Sequence, residues 1–188
     1  MKKLILFVIV FVFAFSSINT FSQDDEMKKW MEYMTPGDMH KSMAKCVGTW
    51  KTHNKMWMDP NTPATEVDGT STGEMILGDR YLVMKHKSTM MGMPFEGMSI
   101  DGYDNATKVF NSIWIDNMGT GIMYMNGKWN ESTKTIDYSG QMVDPMTGGM
   151  TDIRSTMKTN DDGSMYMEMF GKDKSGKEFK WMEMTMTK

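Results

Sequence analysis

Sulfur dominates the chemistry this chain can offer. Met90-Met91-Gly92-Met93 puts three thioethers within four positions, and Met84 and His86 lie two residues apart just upstream. Thioether sulfur beside an imidazole is a donor set for Cu(I) or Ag(I), soft ions that carboxylate sites do not select. His53 with Met56 and Met58 makes a poorer group, because strand alternation sends His53 to the opposite face from both methionines. No Cys-x-x-Cys, His-x-His or facial carboxylate set accompanies either group. The competing reading is packing, since methionine at strand spacing is more often core than ligand.

Catalysis is poorly supplied. His40, His53 and His86 are scattered, no nucleophile motif stands near them, and acid–base chemistry needs groups held as a set. Asp101, Asp104 and Asp116 fall at turn or strand-end positions and read as turn formers. Gly119 to Gly121 and Gly148-Gly149 read as loop or bulge glycines, with no helix after them to make a phosphate site. The lysines are dispersed among carboxylates in a chain of net charge −3, so nucleic acid is not an expected partner. Cys46 is the one cysteine, which rules out an internal disulfide and leaves a small buried thiol.

The elements that position these residues begin after an expected leader. Lys2 and Lys3 precede the apolar run Leu4 to Phe15, then a small and polar stretch, which is the pattern of a secretory signal peptide cut before Gln23. The expected division is residues 1–22 as signal peptide, 23–46 as a helical segment and 47–188 as a β-barrel domain, exported to the periplasm or medium, with no membrane span after cleavage. Met27, Trp30, Met31 and Met34 follow a helical period. A second helix is expected from Thr35 as N-cap, with Pro36 in its first turn, to about Gly48, covering one end of the β structure.

From Gly48 onward the period changes to two, with turn clusters about every ten residues. Gly78-Asp79 reads as a two-residue hairpin turn, and YDNATKVF and WNESTKTI read as one turn design used twice. About ten strands result, and so many sequential hairpins favour an antiparallel up-and-down barrel with one or two short N-terminal helices. Alternation points Leu82, Met84, His86, Ile136, Tyr138, Met142, Ile153 and Met157 inward. It does the same for the two rows Met165, Met167, Met169 and Met182, Met184, Met186. Pairing Phe170 with Phe179 would set Met167 opposite Met182 and Met165 opposite Met184. Methionine has displaced the usual aliphatics here: the chain has 27, while Leu77 and Leu82 are the only leucines after the leader.

Several strings, YMTPGDMHKSMAKCVGTW, KMWMDP, ILGDRYL, MGMPFEGMSIDGYDNATKVF and WIDNMGTG, resemble the bacterial family known as domain of unknown function 1579. That resemblance implies a lipocalin-like or nitrobindin-like barrel, Gly48-Thr49-Trp50 being similar to the Gly-x-Trp entry of such folds, and it brings no catalytic residues. A nitrobindin-like likeness also raises haem, ranked below copper because His86 would be its lone inward histidine.

Together these observations give three expectations. The first is a non-enzymatic barrel holding a small apolar or amphipathic ligand among Trp114, Tyr138, Met142, Met157, Met165, Met167, Met182 and Met184. The second is Cu(I) or Ag(I) binding by Met84, His86, Met90, Met91 and Met93. The third is a purely structural barrel filled by its own side chains.

Overall fold

The period of two becomes a closed sheet. In the computed structural model, which describes residues 20–188, helices α1 (Thr20–Met34) and α2 (Asp38–Ala44) precede ten strands. These are β1 (Gly48–Met56), β2 (Thr65–Ile76), β3 (Tyr81–Met90), β4 (Met93–Asp104), β5 (Val109–Asp116), β6 (Met123–Asn130), β7 (Thr135–Val143), β8 (Met150–Thr159), β9 (Met165–Lys172) and β10 (Glu178–Thr187). Each strand pairs antiparallel with the next in sequence, and β10 pairs with β1, so no edge is left open to pair with another chain. The expected signal segment falls largely outside the described residues, and α1 already begins at Thr20. No described helix is long and apolar enough to cross a membrane.

The two similar strings are indeed one turn design. Asp104 Oδ1 accepts from the amides of Ala106 and Thr107, and Asn130 Oδ1 accepts from those of Ser132 and Thr133. Each turn closes on a lysine at positive φ, Lys108 at 58° and Lys134 at 56°. The amides of these lysines donate back to Asp104 and Asn130 at 2.8 and 2.9 Å.

Three local expectations need correcting. The β2–β3 connection is a four-residue loop, because Ile76 pairs with Tyr81 and Leu77, Gly78 and Asp79 all have positive φ. Arg80 holds that strained loop by donating to the carbonyls of Leu77 and Gly78. In the last hairpin Phe170 pairs with Lys180 rather than Phe179, and a bulge at Trp181 then shifts the register by one. The methionines therefore meet as Met165–Met186, Met167–Met184 and Met169–Met182, and because the net shift is two residues the rows keep their inward face. Finally, Gly37 is the N-cap of α2, its amide donating to His40 Nδ1, while the Thr35 hydroxyl donates to the Met31 carbonyl at the end of α1.

Helix α2 covers one end of the barrel, with His40 and Met43 buried. Helix α1 does not: Met27, Trp30, Met31 and Met34 remain exposed. Its C-terminus is tied down where Asn105 Nδ2 donates to the carbonyls of Glu32, Tyr33 and Thr35, and Arg80 Nη2 to that of Met34.

Candidate ligand-binding lumen

The barrel interior differs from one end to the other. Near α2 a cluster of Trp50, Leu82, Met84, Phe110, Met165 and Met186 is buried, with Met75, Tyr103, Ile136 and Met157 half-buried against it. Toward the far end the inward residues Met56, Phe95, Trp114, Met123, Met142 and Met182 are only half-buried. The loops around that far end carry Met58, Met91, Met146 and Met150, each more than 60% exposed. Exposed methionine is thus abundant there.

All eight expected ligand residues sit on inward positions, Tyr138, Met165 and Met184 buried and the other five half-buried. Two of the aromatic rings lie over glycines of neighbouring strands. A Cβ on Gly97 would come within 2.4 Å of the Trp114 ring, and one on Gly127 within 2.5 Å of the Tyr138 ring, so both rings are pressed flat against the wall. Trp114 packs between His86 at 5.3 Å and Phe95 at 6.3 Å, and its Nε1 donates to Asp116 Oδ2.

The five expected metal donors do not converge. Met84 is buried near the helix-covered end, His86 lies one pleat further along, and Met90 is half-buried at the far rim, roughly 20 Å from Met84 by strand rise. Met91, in the turn between β3 and β4, and Met93, the first residue of β4, are both exposed. That turn does bring Met90 and Met93 directly opposite one another. Among the described residues no three His, Cys, Asp or Glu side chains are grouped as a metal site.

Polar groups inside are few and specific. His86 Nδ1 hydrogen-bonds Ser71 Oγ at 2.6 Å, and burial lowers the pKa of its imidazole to about 4, so it is neutral at pH 7. Asp101, read from sequence as a turn former, is in fact an inward-facing strand residue, paired with Leu82 and Ser112 toward the helix-covered end. Burial raises its carboxyl pKa above the usual range, against the opposing pull of hydrogen bonds from Ser112 and Ser99, the latter donating at 2.7 Å. Counting alternate residues back from Tyr103 in SIDGYD would have exposed it, since Asp101 and Tyr103 share a face. The Tyr138 hydroxyl has no protein partner, and no described buried polar atom is sealed off without one, so this hydroxyl opens onto lumen space. Burial, then the charge of Asp101, holds its proton on firmly. Cys46, 3.3 Å from the Met165 sulfur, has its pKa raised to about 11 by burial and is inert as a nucleophile.

Fold and site together define a class: a closed ten-stranded up-and-down β-barrel, capped by a helix at one end and lined by thioethers, aromatic rings and a set of hydroxyls around His86 and Asp101. A family model described as protein of unknown function (DUF1579) matches residues 35–188, and the chain belongs to that family. The match takes in α2 and every strand but leaves out α1. No curated protein matches the chain.

Proposed function

We propose that this is an exported carrier that holds a small apolar or amphipathic molecule in the barrel, admitted through the end that no described helix covers. The observation that carries the reading is the axial gradient, from a buried cluster under α2 to half-buried inward side chains and exposed thioethers at the far mouth. A barrel of this size can enclose one small ligand, and unbranched methionine adapts its shape to a guest more readily than leucine or valine does.

Native mass spectrometry of the protein taken from its exported location tests this. A bound organic mass lost on denaturation is the expected result. Absence of any such mass, with no uptake of an added apolar fluorophore, would overturn the carrier reading in favour of a self-filled barrel.

A soft-metal reading stands second because Met90 and Met93 face each other across a two-residue turn with Met91 at its tip. Anaerobic titration with Ag(I) separates the two readings. A stoichiometric adduct abolished by Met90→Leu with Met93→Leu supports metal capture, and an unchanged adduct removes it.

A further inference from the structure

Charge inside the lumen selects among ligands. No inward-facing strand position among the described residues is Lys or Arg, whereas Asp101 faces inward opposite Leu82 and Ser112, toward the helix-covered end of the wall. Lys188, over the Trp50 ring at the helix-covered end, acts on Cys46 and not on Asp101. A carboxylate guest would therefore meet a carboxyl and a neutral histidine, with nothing to balance its charge.

Beside Asp101 the wall is aromatic. Tyr103 stands two residues along on the same face, its ring 4.8 Å from Phe110, which lies 6.5 Å from Tyr138. Aromatic faces next to a carboxylate are the usual receptor for an ammonium group. The Tyr138 ring is buried, and its hydroxyl, close enough to Asp101 to feel its charge, makes no hydrogen bond to another described residue.

Resting on the carrier reading, we propose that the lumen binds cationic amphiphiles, with an ammonium head group on Asp101 against Tyr103, Phe110 and Tyr138 and an alkyl tail running along the methionines to the open mouth. Ser99 and Ser112 are positioning residues, since both donate to the carboxyl and orient it. The titratable groups that feel Asp101 are Tyr138 from β7 and Cys46 before β1, while His40 of α2 packs on the Tyr103 ring with its pKa lowered by burial; none of these is held in a cationic form. The guest supplies the missing positive charge and so favours the ionised carboxylate of Asp101 over its protonated form. Affinity should rise with pH until that proton is gone from the free protein.

The test uses dodecyltrimethylammonium, dodecanol and dodecanoate, each below its micellar concentration, titrated calorimetrically against the full-length exported protein and Asp101→Asn. The wild type should prefer the ammonium over the alcohol by about tenfold or more, with dodecanoate weakest. Asp101→Asn should lose that preference while keeping its affinity for the alcohol, which also shows that the variant is folded. Equal ammonium binding by both proteins, or a preference for dodecanoate, would overturn the inference and leave the carrier reading standing. Failure of all three chains to bind would sink both.

Discussion

Met165 and Met146 are the same residue in opposite situations, 2% and 87% exposed, and they mark the two ends of the barrel. At the helix-covered end the connecting turns are polar, two of them closed by Asp104 and Asn130 side chains on backbone amides, and the methionines are packed against Trp50 and Phe110. At the far end the loops carry Met58, Met91 and Met146, and the inward side chains behind them are only half-buried. The difference teaches that methionine enrichment serves two purposes in one chain: dense filling where an aliphatic would do as well, and an adaptable apolar mouth where a branched side chain would not.

Truncation should separate the ends most sharply. Phe110 is 2% exposed and belongs to the buried cluster, so Phe110→Ala should lose about 3–5 kcal/mol. Met142→Ala at the mouth should lose roughly 1 kcal/mol, since its side chain is already partly solvated. Urea unfolding of both variants gives the comparison, and equal losses would mean that the mouth is packed as tightly as the base.

His86 lies between the two regions and reads out the lumen's dielectric. Its folded pKa of about 4 lies below the ordinary 6.5, so the unfolded chain takes up the proton first as pH falls. Stability should therefore be full above about pH 6.5 and decline toward pH 4, by on the order of 3 kcal/mol. In His86→Gln that slope should flatten. An unchanged slope would show that the imidazole is solvated and the lumen wet at this depth.

Exchanging thioethers for leucine is a gentler probe. Met165→Leu should lose less than about 1.5 kcal/mol, because volume is conserved at a site used only for packing. Met167→Leu with Met182→Leu, at half-buried inward positions, should leave stability similar but narrow the range of guests taken up. Uptake of a panel of apolar fluorophores checks this, and an unaltered range would reduce the mouth methionines to filler.

The architecture was legible because a period of two, repeated over ten segments, survives errors in pairing. A two-residue slip, as in the β9–β10 hairpin, leaves every side chain on its proper face. The register itself was not legible, since nothing in EFKWMEM announces that Trp181 is bulged. The lumen's methionines and Tyr138 followed from alternation alone. Asp101 did not, because aspartate beside glycine reads as turn chemistry unless strand parity is carried through the whole segment. The stripe on α1 has helical period, yet it packs on nothing, which periodicity cannot reveal.

The finest test of the two-ended design is a turn residue. Met91 and Gly92 occupy the centre of a two-residue hairpin with φ of 52° and 77°, where asparagine before glycine is the favoured pair and a methionine is strained. Met91 is 75% exposed, so little packing offsets that strain. Met91→Asn should raise stability by about 0.5–1 kcal/mol. Lys108→Asn, relieving the same backbone conformation at the helix-covered end, should gain a similar amount. The two substitutions are equivalent for folding and differ only in which end they alter. If Met91→Asn weakens uptake of apolar guests or Ag(I) while Lys108→Asn does not, the exposed thioether is kept at the mouth for its contacts, against the preference of the backbone. If both variants gain stability and bind alike, the rim methionine has no part in binding, and the mouth reduces to the half-buried side chains behind it.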